Sequence, residues 1–506
     1  MLLKVEDLKV QYNTAEKTSY AVKGVSFEME RGEILGIVGE SGSGKSTLGL
    51  TMMGLLPSHA SYSGHVYFQG RDVIPMSFEE LRQIKGDEIS VVFQEPMTSL
   101  NPLIKVGKQV EEMLLLHLKD KDDAMTEAPD GTKLNRHHEK LSKEERKKRV
   151  LEMFEAVELP KPEETYKKYP HELSGGMQQR VMIAMALMCE PEILIADEPT
   201  TALDADIQDQ ILDLLKSINA KRGTSIMLVS HDLRVIRRVC HKAIVMYKGE
   251  IVERGTVEDI FEHPQDPYTK SLIAAITDEK KNSNPIEGEA ALEVKDLSVY
   301  YVKKSEKLGE KPKKNVICKG MTFDVKKGEI LGLVGKSGSG KSSISRAILG
   351  LHKDYTGEII HHTDKPQMIF QDSAASLNPA RKIGWILEEP LKNKKVEPAE
   401  RKRLVKEMME RVELPEEFLD RYPRQLSGGQ KQRVNIALAL MSGSKFIIAD
   451  EPVSALDVSI QEQIIELLLK LQKDLDLSML FISHDRAVVE RICDRVIHME
   501  DWKPVS

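Results

Sequence analysis

Two short apolar runs, EILGIVG (Glu33–Gly39) and EILGLVG (Glu329–Gly335), read as strands buried on both faces. Each leads through a glycine-rich turn into a mixed segment that reads as a helix. These segments are KSTLGLTMMGLL (Lys45–Leu56) and KSSISRAILGL (Lys341–Leu351). Two further apolar runs end in paired acids, EILIADEP (Glu192–Pro199) and KFIIADEP (Lys445–Pro452), and read as strands with carboxylates at the tip. Val181–Met188 is mostly apolar and reads as a buried helix. No apolar run approaches the ~20 residues that cross a bilayer, and MLLKVEDLKV mixes charge with apolar residues too early for a signal peptide.

Polar stretches interrupt this pattern. Leu118–Lys140 reads as an inserted surface loop; its His137 and His138 admit a metal role but fit a solvated loop better. Thr277–Ala290 is charged and contains Pro, Gly and Asn, so it reads as a linker. Lys303–Asn315 carries six lysines and reads as a solvated hairpin loop, with contact to anionic lipid as the other reading.

The pattern occurs twice. VEDLKVQY answers to VKDLSVYY, VVFQEPMTSLNP to MIFQDSAASLNP, LSGGMQQR to LSGGQKQR, IADEPTTALD to IADEPVSALD, and LVSHD to FISHD. Spacing is held where structure is expected to be rigid. Ser174 to Asp197 and Ser427 to Asp450 both span 23 residues, and Asp197 to His231 and Asp450 to His484 both span 34. Gln94 to Ser174 spans 80 residues against 56 from Gln371 to Ser427, and the surplus falls on the Leu118–Lys140 loop. A long repeat of this kind predicts duplicated domains.

Composition narrows the class. The 506 residues carry 73 basic and 80 acidic side chains, a net charge of −7, which leaves no footprint for nucleic acid. Four scattered cysteines, Cys189, Cys240, Cys318 and Cys493, form no C-x-x-C pair; they fit a reducing compartment.

The chemistry lies in the repeated turns. G-x-x-x-x-G-K-[ST] wraps backbone N–H groups around phosphate, with lysine reaching the β- and γ-phosphates and the next hydroxyl suited to Mg²⁺. The first copy comprises Gly39, Ser41, Gly42, Gly44, Lys45, Ser46 and Thr47. The second comprises Gly335, Ser337, Gly338, Gly340, Lys341, Ser342 and Ser343. Asp197–Glu198 and Asp450–Glu451 supply adjacent carboxylates that can divide metal holding from water activation. Ser174-Gly175-Gly176 and Ser427-Gly428-Gly429 stand at predicted helix starts, where a hydroxyl and exposed N–H groups offer a second phosphate grip.

With these motifs in register twice, the chain resembles a tandem pair of ATP-binding cassettes of the ABC transporter superfamily, over nearly its whole length. The resemblance implies an α/β fold: two P-loop NTPase (RecA-like) nucleotide-binding domains, each with an antiparallel β subdomain and a helical signature subdomain. The implied boundaries are 1–248 for the first cassette, 249–276 for a C-terminal extension, 277–290 for the linker and 291–506 for the second cassette. It further implies that Lys45 and Lys341 bind phosphate, and that Ser46, Gln94, Asp197, Ser342, Gln371 and Asp450 serve Mg²⁺. Glu198 and Glu451 are then general bases, His231 and His484 contact the γ-phosphate, and Tyr12 and Tyr301 stack on adenine, ordinary packing of the tyrosines being the other reading. Family cassettes dimerise head to tail, which pairs Lys45 with Ser427 and Lys341 with Ser174 in two composite sites, an intramolecular pseudo-dimer.

FQEPMTSLNP and GEIVERGTVEDIFEHPQDPYTKSLI (Gly249–Ile273) resemble the peptide/nickel importer branch. That implies a peripheral ATPase on the cytoplasmic face of a bacterial membrane, driving two permease subunits fed by an extracytoplasmic binding protein, with oligopeptide, dipeptide or glutathione as cargo. The alternatives are a nickel or metal-chelate importer, an export motor, and a soluble tandem ATPase acting on ribosomes or nucleic acid. Two departures stand out. Met177 replaces the family glutamine found at Gln430, and the second copy lacks the HPQDPYT segment, ending in DWKPVS in place of a final strand. Gly249–Asn284 contains no cysteine, so no iron–sulfur cluster is expected.

Overall fold

The computed structural model describes residues 1–13, 18–94, 96–117, 141–201, 203, 205–276, 286–303, 313–336, 338–454, 456 and 458–502. The chain divides into two compact units, Met1–Ile276 and Thr277–Ser506.

In the first unit a six-stranded sheet runs Glu250–Thr256, Lys242–Tyr247, Ile34–Val38, Ser225–Ser230, Ile193–Asp197, Ile89–Val92. All neighbours are parallel except Glu250–Thr256, which pairs antiparallel with Lys242–Tyr247. The apolar runs follow from this position. Alternate residues point to opposite faces, and both faces are covered. Ile34, Val38, Leu194, Ala196, Ile226 and Leu228 join a core shared with the helices. Leu35, Ile37, Ile193, Ile195, Met227 and Val229 join a second core beneath a four-stranded antiparallel sheet.

The second unit repeats the plan. Five parallel strands run Gln367–Ile369, Phe446–Asp450, Ser478–Ser483, Ile330–Val334, Arg495–His498. A three-stranded antiparallel sheet lies on one face and helices on the other. After His498 the chain enters a short 3₁₀ turn, Met499–Trp502, where the first unit continues into an antiparallel edge strand.

The helices after the glycine-rich turns are shorter than their apolar patterns suggest. They span Lys45–Met52 and Lys341–Ile348. Glycine explains both ends. Gly54 and Gly350 adopt φ of 52° and 73°, and Leu55 and Leu351 return their amides to Leu50 and Arg346 at 2.9 and 2.8 Å. This six-to-one closure with a left-handed glycine ends a helix whatever apolar residues follow.

The strands Ala290–Lys303 and Lys313–Lys326 pair antiparallel up to Lys303 and Lys313, so the lysine-rich stretch joins a hairpin. Lys313–Asn315, expected in the loop, belong to a strand. Residues 304–312, and the Leu118–Lys140 insertion with His137 and His138, lie outside the described residues.

Candidate active sites

Parallel pairing gathers the site. Val38 pairs with Ser230 and Asp197 with Val229, so the strands of the first unit end at a common edge. The segments leaving that edge carry the P-loop, Gln94, Asp197–Glu198 and His231. Val334 pairs with Ser483 and Asp450 with Ile482, which does the same for the second set. Such an edge is the usual ligand crevice of an open parallel sheet.

Within the first P-loop, the Lys45 ammonium donates to the carbonyls of Gly39 and Glu40 at 2.7 and 2.8 Å. Lys341 donates to Gly335 and Lys336 at 2.7 and 3.1 Å. Gly44 has φ of 100°, and a Cβ there would stand 2.3 Å from the Ala21 carbonyl oxygen. Gly340, at φ 102°, would press a Cβ to 2.1 Å from Ile317 Cγ2. Only glycine fits either position, and each immediately precedes the lysine that opens the helix.

The carboxylates differ in environment. Ser46 donates to Asp197 Oδ1 at 2.9 Å. Burial raises the pKa of Asp197 and of Asp450; hydrogen bonds from Ser46 and Ser342 oppose it, and the neighbouring glutamates add to it. Burial also pushes Glu198 and Glu451 upward, but hydrogen bonds and charge from His231 and His484, with Lys45 and Lys341, outweigh it and hold both glutamates below the ordinary value. His231 Nδ1 lies 3.2 Å from Glu198 Oε1, and His484 Nδ1 3.2 Å from Glu451 Oε2. Gln94 and Gln371 donate their amides to the same glutamates at 2.8 and 2.9 Å.

Both glutamates have left-handed backbones, φ 46° for Glu198 and 47° for Glu451. A non-glycine residue there carries strain of about 1–3 kcal/mol, a signature of functional positions. Each amide is fixed to the adjacent strand, Glu198 to the Val229 carbonyl and Glu451 to Ile482. Each glutamate side chain meets its glutamine and histidine.

Ser46, Gln94 and Asp197 offer hard oxygen donors, as do Ser342, Gln371 and Asp450, which suits Mg²⁺. Asp450 Oδ1 is buried without a hydrogen-bond partner, a lone pair set that a cation satisfies.

The Ser-Gly-Gly segments start helices as expected, Gly175–Leu187 and Gly428–Met441. Ser174 and Ser427 are the N-caps, accepting the amides of Met177 and Gln430 at 3.4 Å. Gly176 and Gly429 admit close approach: a Cβ would stand 2.5 Å from Ile207 and 2.6 Å from Ile460. Gly175 and Gly428 occupy the first helical positions.

The ABC transporter family model matches residues 22–201 and 318–454. The glutathione import ATP-binding protein GsiA of Escherichia coli (strain K12) is 41% identical over 98% of this chain and 84% of its own length, and that of Shigella dysenteriae matches to the same extent. The chain belongs to the ABC transporter family. It is a tandem-cassette transport ATPase. A solved ATP-binding cassette, MJ0796 bound to ADP and Pi, is 32% identical, covering 51% of this chain and 99% of its own, with a TM-score of 0.43.

Each cassette brings its own lysine, glutamine, paired acids and histidine together. The loop residues Gly39, Ser41, Gly42 and Thr47, and Gly335, Gly338 and Ser343, lie on the P-loops around them, while Ser337 and most of the Ala-Leu-Asp loops lie outside the described residues. Tyr12 and Tyr301 reach the P-loop helices through their hydroxyls, 3.3 Å from Thr47 Oγ1 and 3.1 Å from Ser343 Oγ. Their rings meet histidines that the sequence had not singled out, His59 at 5.7 Å and His352 at 4.8 Å between centroids. The two histidines are equivalent, each three residues before the tyrosine that pairs with Val10 or Val299, but a three-residue difference in the preceding loop takes them out of register with the P-loops. Thr201 was also missed; it donates to Glu198 Oε2 at 2.9 Å, whereas Ser454 donates to the backbone carbonyl of Glu451.

Proposed function

We propose that this protein is the ATP-hydrolysing motor of a peptide-class importer, with glutathione or short peptides as cargo and separate permease subunits as the membrane path. The observation that carries this is the 41% identity, over 98% of the chain, to proteins named as glutathione import ATP-binding proteins. Two further features support it. Among the described residues no helix is long and apolar enough to cross a membrane. Beside Gln94, apolar side chains face outward: Phe93 is 39% exposed, Leu103 83% and Ile104 39%. That surface suits a permease segment lying against the peripheral ATPase on the cytoplasmic side.

The site residues take these roles. Lys45 and Lys341 exchange their loop carbonyls for β- and γ-phosphate oxygens of the substrate ATP. Ser46 with Asp197, and Ser342 with Asp450, hold Mg²⁺, which when bound neutralises phosphate charge. Glu198 and Glu451, held ionised by their histidines, orient and deprotonate the attacking water. Gln94 and Gln371 position that water and the glutamate. His231 and His484 donate toward the γ-phosphate. Tyr12 and Tyr301 stack on adenine. Ser174-Gly175-Gly176 and Ser427-Gly428-Gly429 grip nucleotide phosphate through the hydroxyl and amides of their helix starts, and Gln430 supports the second signature. ATP binding and hydrolysis then shift the motor between two global states. An extracytoplasmic binding protein delivers the cargo to the permease.

The test is co-expression with the neighbouring permease genes in membranes. The motor is expected to co-purify with the permease, and uptake of labelled glutathione or dipeptide is expected to stop when the gene is deleted. A motor that stays soluble and never co-purifies, with uptake unaffected, contradicts the proposal.

A further inference from the structure

We propose that Tyr268 is a positioning residue for the first P-loop, and that it gives the first nucleotide site an affinity set by the C-terminal extension. The inference rests on reading the Lys45 loop as a nucleotide site.

Tyr268 lies on the helix Pro267–Ile276, beyond the last strand of the first cassette. Its hydroxyl accepts the backbone N–H of Glu40, the second residue of the P-loop, at 3.1 Å. The carbonyl of Glu40 accepts the Lys45 ammonium at 2.8 Å. One residue of the loop is therefore held from one end by the extension and from the other by the phosphate-binding lysine. Rotation of the Glu40 backbone is coupled to both.

The tyrosine is itself fixed. Its ring stacks on Tyr247 with centroids 4.2 Å apart and planes 28° from parallel. Asp266 Oδ1 accepts the amides of Tyr268 and Thr269 at 2.8 and 3.4 Å, capping the helix. Glu253, on the edge strand, accepts the amides of Gln265 and Asp266 at 2.8 and 3.1 Å. The turn between the last two strands adds a second tie, Gly249 N–H to the Ser43 carbonyl at 3.1 Å. A continuous path of hydrogen bonds thus runs from the edge strand through the extension to the loop that cradles phosphate.

The second cassette is built otherwise. The described residues after its last strand are Met499–Trp502, which contain no tyrosine. The Met499 side chain backs the P-loop, close enough that a Cβ at Gly335 would stand 2.7 Å from Met499 Cβ. The loop residue equivalent to Glu40 is Lys336.

The experiment uses the full chain in two backgrounds, Lys341→Ala to report the first site and Lys45→Ala to report the second. Binding of a fluorescent ATP analogue with Mg²⁺ is titrated with and without Tyr268→Phe, which removes the hydroxyl and keeps the ring. Loss of one net hydrogen bond predicts binding about threefold to tenfold weaker in the Lys341→Ala background and unchanged in the Lys45→Ala background. Hydrogen exchange is followed alongside: the Glu40 amide is expected to exchange faster in Tyr268→Phe while Ile34–Val38 stays protected. Equal affinity in the Lys341→Ala background, or equal loss in both backgrounds, overturns the proposal. Full binding by the Lys45→Ala/Lys341→Ala protein contradicts the nucleotide-site reading itself, whatever Tyr268→Phe does.

Discussion

His484 carries a charge argument at the scale of one residue. Its hydrogen bond to Glu451 raises its pKa against the opposing effect of burial, and Glu451 is held low in return. A raised imidazole contributes its stabilisation fully below the ordinary pKa and loses it as pH rises through the folded value. A depressed carboxyl contributes above its ordinary pKa and loses it as pH falls through the folded one. The pair therefore holds between the depressed Glu451 pKa and the raised His484 pKa. In an NMR titration of ring-labelled histidine, the His484 resonance is expected to titrate above about 6.5, and Glu451→Gln is expected to lower its midpoint. An unshifted midpoint in Glu451→Gln contradicts the pairing. A second residue-scale prediction concerns Gly44. With φ of 100° and a carbonyl oxygen 2.3 Å from any Cβ, Gly44→Ala combines backbone strain with a clash against backbone. It is expected to cost upwards of about 1–3 kcal/mol locally and to abolish ATP-analogue binding at the first site, measured in the Lys341→Ala background. Lys45, Glu198 and His231 were legible as candidates from motif and spacing. The left-handed backbone of Glu198 was not, because nothing in IADEP encodes a positive φ for a glutamate; it accompanies the hydrogen bond from the Glu198 amide to the Val229 carbonyl.

At the scale of elements, the two signature helices separate by one side chain. Gln430 Oε1 accepts the Ser427 amide at 3.0 Å while Ser427 Oγ accepts the Gln430 amide, a complete capping box. Met177 has no acceptor to return, so Ser174 caps in one direction only. A full box satisfies two helix-end donors in place of one. Met177→Gln is expected to stabilise the start of its helix by about 0.5–1 kcal/mol. Slower exchange of the Ser174 amide, and a first turn as protected as Gly428–Lys431, are the readouts; unchanged exchange contradicts the account. The sequence showed Met177 as a departure, and the hydrogen bonds say what it changes. The strands were the most legible elements, since burial on both faces leaves continuous apolar runs such as ILGIV. Helix ends after the P-loops were less so, because apolar GLL residues continue the pattern past a glycine that had already closed the helix. Tyr268 was visible only as part of an extension. Its contact with Glu40 spans 228 residues of chain, a separation no local pattern records.

At the scale of the whole molecule, duplication explains why six motif blocks recur with held spacing, and the comparisons place the chain among ABC transporter ATPases. The duplicated halves are not copies in detail. Glu40 in the first P-loop corresponds to Lys336 in the second, Thr201 differs from Ser454 in its bond, and the segment after Gln94 carries Leu103 and Ile104 where the second cassette carries Ala380 and Arg381, the latter 4.6 Å over the Trp385 ring. These differences leave the lysine, glutamine, acid and histidine cluster intact in both cassettes. The central claim is therefore that both glutamates activate water in two competent sites. Steady-state ATP hydrolysis by Glu198→Gln, Glu451→Gln and the double variant tests it most directly. The double variant is expected to lose about 10²–10⁴-fold in turnover, the usual contribution of a general base, while still binding ATP. Wild-type turnover by the double variant would contradict the account.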